Sequence, residues 1–182
     1  MTGKLSYKIG DLIEAGLSGE VQILGHGCNC YVTMGNGIAP LIKIAFPYAY
    51  EADLQTTKGD ISKLGTVSIA EPEEFGYDPF GPIVFNLYTQ HGFWGRNKGL
   101  RDLDYNAIYN ALSSMAEHLD RYDYGDADCH TVGLPKIGCG LASGDWDIVE
   151  LMIKKTLCNA GHNVTIYVLD ESETPENATV IE

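Results

Sequence analysis

The stretch HGCNCYVTMGNGIA, residues 26–39, decides how the rest of the chain is interpreted. It follows a short apolar run at residues 21–24, which predicts a buried β-strand. Apolar residues then recur at helical spacing from Ile38 onward, so Gly35 and Gly37 lie where a strand passes into a helix. Glycine lets a ligand approach the main chain, and the free N–H groups at a helix N-terminus attract anions. The junction therefore predicts a phosphate-binding turn.

An unoccupied turn is the alternative, because glycine-rich turns between strands and helices are common and many bind nothing. The stretch also fits neither of two familiar phosphate-binding patterns. It lacks the Gly-Lys-Ser/Thr ending of a P-loop, and it lacks the dinucleotide-binding glycine pattern with an acidic residue about 20 positions further on. The ligand must therefore be inferred from the whole chain.

Twelve basic against twenty-five acidic residues give a formal net charge of −13. This charge repels polyanions, so we expect no nucleic-acid partner and no membrane partner. A small anionic ligand is still compatible with it, provided that main-chain N–H groups hold the phosphates. The 182 residues suit one domain, expected at 1–170, followed by a polar tail at 171–182 that we expect to be disordered. Without a signal-like or membrane-length apolar run, we expect a cytoplasmic protein.

The five cysteines are an odd number, which predicts reduced thiols. Cys28 and Cys30 could suggest a metal ligand pair, but no second pair of Cys or His completes a zinc set. We therefore expect no metal and no cofactor. For Cys28, Cys30 and Cys139 we expect a packing role.

Periodicity and turn residues predict six strands that are separated by helices. The strands are predicted at residues 5–9, 21–24, 65–70, 83–88, 131–135 and 164–169, and the helices at 38–53, 103–119 and 149–157. Gly10-Asp11-Leu12 is interpreted as a turn, in which a turn or helix-cap residue is the structural role open to Asp11. Residues 121–130 are interpreted as an acidic surface link. This pattern is typical of an α/β layered protein with a parallel or mixed sheet, in which ligands bind beyond the carboxyl ends of the strands.

Four motifs occur in one order along these elements. They are GDL at residues 10–12, CNC with MGNGIA within 28–39, NLYTQ at 86–90 and LPKIGCGLASGDW at 134–146. Together they resemble the macro domain, the ADP-ribose-binding fold, over residues 5–169. The resemblance is strongest to the branch that holds ADP-ribose 1″-phosphate phosphatases and terminal ADP-ribosyl protein glutamate hydrolases, with phage-like members. It implies a three-layer α/β/α fold with a central mixed sheet.

The resemblance also implies a role for individual residues. Asp11 would accept a hydrogen bond from the adenine amino group, Asn29 would face the distal ribose, and two glycine-containing loops would hold the diphosphate. The ligand-binding residues that it implies are Gly10, Asp11, Leu12, Asn29, Gly35, Asn36, Gly37, Ile38, Ala39, Thr89, Gln90, Ile137, Gly138, Cys139, Gly140, Leu141 and Ala142.

Two positions depart from the pattern of the hydrolases. Those enzymes use a Lys directly after the strand-end Thr as nucleophile, and an Asp directly after GCGL. Here the two positions are Gln90 and Ala142, and Gln cannot form the required imine. His26, in contrast, stands where the phosphatase-like members carry a His just before Cys-Asn-Cys.

We therefore expect the protein to bind ADP-ribose 1″-phosphate and to hydrolyse it to ADP-ribose and phosphate. His26 would act as acid or nucleophile, Asp145 would orient it or activate water, and Arg96 and Lys98 would close over the phosphate. The structural alternatives are a hydrogen-bonded His26 at a strand end and an Asp145 that caps the next helix, with Trp146 in the core. Two other functions stay open: a module that binds ADP-ribose without turnover, and a hydrolase that removes ADP-ribose from a modified macromolecule.

Overall fold

Six strands and five α-helices make up the regular structure in the described part of the chain, apart from short 3-10 and π-helical turns. The structure, a computed structural model, describes residues 2–121 and 131–182. The strands are β1 (Leu5–Ile9), β2 (Ile23–Asn29), β3 (Val67–Ala70), β4 (Ile83–Gln90), β5 (Val132–Leu134) and β6 (Val164–Val168). The helices are α1 (Leu12–Leu17), α2 (Ala39–Ala45), α3 (Pro47–Leu54), α4 (Tyr105–Arg121) and α5 (Trp146–Ile153). The predicted acidic link lies, apart from Arg121, outside the described residues.

The strands form one mixed sheet in the order β1-β6-β5-β2-β4-β3. Every neighbouring pair is parallel except β3 with β4. Because parallel strands point the same way, the loops that follow β1, β2, β4, β5 and β6 meet at one edge of the sheet. The sheet thus brings all four sequence motifs to that edge.

Helices cover both faces of the sheet, which confirms the three-layer α/β/α prediction. On one face, Leu112 of α4 and Ile153 of α5 belong to a fully buried cluster. On the other face, Leu12 of α1, Ile42 of α2 and Ala49 of α3 form a second cluster. Burying each large apolar side chain stabilises the fold by about 1.5–3 kcal/mol, so both layers contribute to one core. Within the described ranges no helix is long and apolar enough to span a bilayer.

The structure corrects two predicted elements. The helix predicted at residues 38–53 is two helices, because Pro47 has no N–H to donate and begins α3 as its first residue. The turn predicted after β1 leads directly into α1, which was not predicted, and Asp11 has the helix-cap role left open for it. Apolar spacing alone does not reveal a proline break, and it misses a helix of six residues.

The C-terminal residues, which we expected to be disordered, pair with the outer strand of the sheet. Tyr7 of β1 donates its N–H to the Thr179 carbonyl (2.8 Å) and accepts from the Ile181 N–H (2.8 Å). The edge of β1 would otherwise present these backbone groups unpaired. Because the C-terminal segment satisfies these backbone groups, it lies along β1 instead of extending into solvent.

Candidate functional site

Two adjoining cavities form one cleft at the edge where the parallel strands end. The smaller cavity encloses about 490 Å³ and the larger about 760 Å³. Gly37, Ile38, Pro135, Lys136 and Gly140 line both, so the two cavities are continuous. Volumes of this size suit a small molecule or a cofactor.

All of the residues that the sequence predicted to bind a ligand line this cleft. The smaller cavity is lined by Gly10, Asp11, Leu12 and Cys139. The larger cavity is lined by Asn29, Gly35, Asn36, Ala39, Thr89, Gln90, Ile137, Gly138, Leu141 and Ala142. Both are lined by Gly37, Ile38 and Gly140. The residues implied by the family resemblance therefore lie on the walls of one cleft.

One wall is the Gly35 loop, residues 35–39, which leads into α2. In the described part of the chain, the N–H groups of residues 35–38 donate no hydrogen bond. The backbone of Gly37 has a φ of 63°, a left-handed conformation that glycine adopts without strain. Four free donors beside the start of a helix form a concave, positively polarised surface that suits an anion.

The opposite wall is the Gly138 loop, residues 138–144, which follows β5. Gly138 has a φ of 72°, and a Cβ at this position would lie only 2.6 Å from Leu103 Cδ1. Within the described residues, the N–H groups of residues 140–142 are also without an acceptor. The two loops thus present main-chain donors to one cleft from opposite sides.

The Asp11 end of the cleft is largely apolar and carries one carboxylate. Asp11 Oδ1 accepts from the Ile13 N–H (2.7 Å), so this oxygen caps α1 and leaves Oδ2 for a ligand. Leu12, Trp146 and Tyr167 line the same cavity. A carboxylate beside apolar and aromatic walls suits a base with an exocyclic amino group.

The Asn29 end of the cleft is polar. Asn29 Oδ1 accepts from the Tyr31 N–H (2.8 Å) and the Thr33 hydroxyl (3.0 Å), which fixes the amide at the carboxyl end of β2. Thr89 is fully buried, and its hydroxyl has no partner within the described structure although it lines the cavity. Because this oxygen is enclosed, Thr89 belongs to the wall of the cavity and does not present its hydroxyl to a ligand. Gln90 uses its amide to hold the Gly92 carbonyl (2.6 Å).

The structure does not support His26 as a catalytic residue. The side chain is fully buried and lines neither cavity. Its Nε2 donates to Asn86 Oδ1 (2.7 Å), and Asn86 in turn donates to the Ala49 carbonyl (2.8 Å). Burial lowers the pKa of His26 to about 4, so the imidazole is neutral near pH 7. The alternative interpretation, a hydrogen-bonded histidine, describes this residue, but His26 lies in the middle of β2 and not at the strand end that we predict.

Asp145 is likewise a structural residue. It is exposed, it lines neither cavity, and its carboxylate accepts from the Asp147 N–H (3.0 Å) as the N-cap of α5. Trp146 differs from the expected core position, because its ring is half-buried and lines the smaller cavity. Its Nε1 donates to the Tyr7 hydroxyl (2.8 Å), which holds the indole in place.

The thiols near the cleft are protonated. Burial raises the pKa of Cys28 well above its usual range and that of Cys139 to about 11. Among residues 2–121 and 131–182, no group of three or more His, Cys, Asp or Glu side chains is arranged to hold a metal ion. Neutral thiols are poor nucleophiles and poor metal ligands, so the chemistry of the cleft must come from other groups.

The loop after β4 lines the larger cavity with some residues that the sequence predicted and some that it did not. Arg96 lines the larger cavity as expected, but Lys98 does not. Asp102, which the motifs did not mark, also lines it and accepts from the Gly95 N–H with both carboxylate oxygens (2.9 and 3.0 Å). The position of this loop after a central strand was the available signal. Phe93, Trp94 and Asn97 complete this side.

Comparison with known proteins identifies the family. The macro domain family model matches residues 26–153. An uncharacterized 17.5 kDa protein from the tk-vs intergenic region of Enterobacteria phage T4 is 35% identical over 80% of this chain and 85% of its own. An ADP-ribose 1″-phosphate phosphatase of Debaryomyces hansenii is 30% identical over 91% of this chain and 99% of its own.

The fold comparison gives the same result. Thermosipho africanus DarTG in complex with ADP-ribose superimposes with a TM-score of 0.70 at 20% identity, over 97% of this chain and 45% of that one. At this identity the likeness concerns the fold alone. With the family model covering most of the chain, and with the cleft formed by the family's motifs, the protein belongs to the macro domain family.

Proposed function

We propose that the protein binds ADP-ribose in the cleft and hydrolyses ADP-ribose 1″-phosphate to ADP-ribose and phosphate. The observation that carries the proposal is the convergence of the Gly35 and Gly138 loops, whose free N–H groups face one cleft. Main-chain donors can hold a diphosphate without basic side chains, which agrees with a net charge of −13. The relatives named as ADP-ribose 1″-phosphate phosphatases support the substrate.

The ligand is oriented by the two ends of the cleft. Asp11 and its apolar neighbours would receive the adenine, and Asn29 would receive the distal ribose. The 1″-phosphate would then lie beside the loop that carries Arg96 and Asp102. In the described structure the Arg96 guanidinium has no ion-pair partner, so it is available to a phosphate.

Because His26 is sealed in the sheet, another group must move the proton. Asp102 is the candidate, since its backbone N–H donates to the Ala142 carbonyl (3.1 Å), which places it beside the position where the hydrolases carry their Asp. A water oxygen would bond to phosphorus as the P–O1″ bond breaks, and Asp102 would take one proton of the attacking water and pass it to the leaving O1″. The other water proton would stay on the released phosphate, and Arg96 would stabilise the charge on the phosphoryl oxygens.

The test is phosphate release from ADP-ribose 1″-phosphate. Asp102→Asn keeps the acceptor for Gly95 but removes the base, and we expect kcat to fall about 100-fold or more. Arg96→Met should lower kcat/KM about 10-fold or more, while Lys98→Met, a cation in the same loop that does not line the cleft, should not.

The results separate the candidate functions. Phosphate release that Asp102→Asn leaves unchanged would remove Asp102 from the mechanism. No release by the unmodified protein, together with ADP-ribose binding by calorimetry, would make it a binding module. Loss of ADP-ribose from a modified protein would instead favour the hydrolase alternative.

A further inference from the structure

An aromatic rim borders the Asn29 end of the cleft. It consists of Tyr31, Phe93 and Trp94. The ring centroid of Trp94 lies 4.8 Å from that of Tyr31 and 4.9 Å from that of Phe93. Phe93 and Trp94 line the larger cavity, yet they are 41% and 48% exposed. Large aromatic side chains that stay exposed at the mouth of a cavity are typical of ligand contacts.

The backbone of the loop is adapted to the indole. A Cβ at Gly92 would lie 2.2 Å from Trp94 Cζ3, so only glycine at this position allows the ring to lie where it does. Gly92 is also anchored, because its carbonyl accepts from Gln90 at the end of β4 (2.6 Å). The position of Trp94 is therefore set by the structure of the loop.

The proposed phosphatase reaction does not use this rim. A phosphate is held by Arg96 and by N–H groups, and it gains nothing from the electron-rich face of an indole ring. Planar rings, and planar cations above all, do bind such faces. The net charge of −13 and the carboxylate of Asp102 in the same cavity favour a cation there. Arg96 lines the same cavity and disfavours a cation.

We propose that the aromatic rim is a subsite for a planar, positively charged ring on C1″ of the distal ribose, as in the oxidised nicotinamide dinucleotide NAD⁺. The proposal rests on the orientation of ADP-ribose given under Proposed function. The rim continues the cavity at the Asn29 end, where that orientation places C1″. A base within a nucleic acid offers the same planar chemistry, but its polyanionic backbone is repelled by this acidic protein.

The test compares two ligands that differ in the ring, NAD⁺ and ADP-ribose, by calorimetry on the full chain. Stacking of a ring on an aromatic side chain is worth about 1–3 kcal/mol, so Trp94→Ala should weaken NAD⁺ about 5- to 150-fold. ADP-ribose affinity should fall clearly less than NAD⁺ affinity, since ADP-ribose carries no ring on C1″. Phe80→Ala, which removes a phenylalanine that is 89% exposed and lines neither cavity, is the matched control and should change neither.

A second variant keeps the indole but displaces it. Gly92→Ala should weaken NAD⁺ in the same direction as Trp94→Ala, because the added Cβ would clash with the ring. Equal loss of both ligands in Trp94→Ala, or no binding of NAD⁺ where ADP-ribose binds, would overturn the subsite and leave the proposed function in place.

Two other results would also overturn the subsite. If neither ligand binds the unmodified protein, the proposed function fails first and the subsite fails with it. If a single-stranded oligonucleotide that carries ADP-ribose on a base binds more tightly than NAD⁺, with the same dependence on Trp94, the rim belongs to a nucleic acid and the dinucleotide proposal is overturned.

Discussion

His26 and Asn29 lie three positions apart in β2, and the structure gives them opposite environments. His26 is sealed inside the sheet against Asn86, whereas Asn29 is half-buried and lines the cleft. Both are polar residues in the motif that decides the fold. The difference teaches that polar side chains in the strand interior serve the stability of the sheet, while ligand chemistry belongs to the strand end and the loops beyond it.

The polar interior continues well beyond His26. Asp53 and Lys63 form an ion pair at 3.4 Å, and their side chains are only 1% and 7% exposed. The Tyr88 hydroxyl donates to Asp53 (2.7 Å), and the Lys63 ammonium lies 4.3 Å from the centre of the Tyr88 ring. Buried charges persist only when each is paired, so this group acts as one unit under the cleft without lining it.

The largest expected effect comes from breaking this buried pair. Lys63→Met leaves the Asp53 carboxylate buried without its cation, and we expect the free energy of unfolding to fall by about 3–5 kcal/mol. Urea denaturation measures it. Lys154→Met is the control, because it breaks an ion pair on the surface (2.8 Å to Glu150) and should cost less than about 1 kcal/mol. Equal costs for the two variants would mean that the buried ion pair carries no more stability than a surface pair.

The second effect is a dependence of stability on pH. Burial lowers the pKa of His26 to about 4, from an ordinary value of 6.5. Between these pH values the unfolded chain binds a proton that the folded chain does not, so the free energy of unfolding falls as the pH falls from 6.5 to 4. Protonation of this group is expected to lower the free energy of unfolding by about 3 kcal/mol at pH 4. Well above pH 6.5 this destabilisation is absent, because the histidine is neutral in both states.

His26→Gln isolates this contribution. The Gln amide can still donate to Asn86 but does not titrate, so all other groups are common to the two proteins. The difference between their unfolding free energies, measured by urea denaturation at several pH values, should change by about 3 kcal/mol across the window. A constant difference would place the imidazole in contact with water and would reopen its role at the cleft.

These two regions also separate what the sequence could predict from what it could not. The glycine loops are local features, so Gly35, Gly37 and Gly138 could be placed in the site from their neighbours in the chain. The environment of His26 depends on Asn86, which is 60 positions away and becomes its neighbour only when β2 pairs with β4. No local pattern contains that pairing.

The same reasoning explains the missed carboxylate. Asp102 enters the cleft because its backbone N–H bonds to the Ala142 carbonyl of the Gly138 loop, 40 positions along the chain, and because Gly95 donates to its side chain. The positions of the strands along the chain, in contrast, follow from apolar runs that are each complete within a few residues. The strands and most helices, and most residues of the cleft walls, could therefore be predicted from the sequence. The location of a side chain such as Asp102, which depends on a contact between distant loops, could not.

The smallest expected effect compares two residues with the same local structure. Asp11 and Asp145 both cap a helix by accepting from the N–H two residues on, at 2.7 and 3.0 Å, but only Asp11 lines the cleft. Asp145→Ala should lower the free energy of unfolding by about 1 kcal/mol and leave ADP-ribose affinity unchanged. Asp11→Asn keeps a capping oxygen, so stability should change little, while the loss of the charged acceptor should weaken ADP-ribose about 10-fold. Calorimetry gives the ADP-ribose affinity of both variants, and urea denaturation gives their free energies of unfolding. If Asp145→Ala lost as much affinity as Asp11→Asn, helix capping rather than contact with the base would govern binding at this end of the cleft.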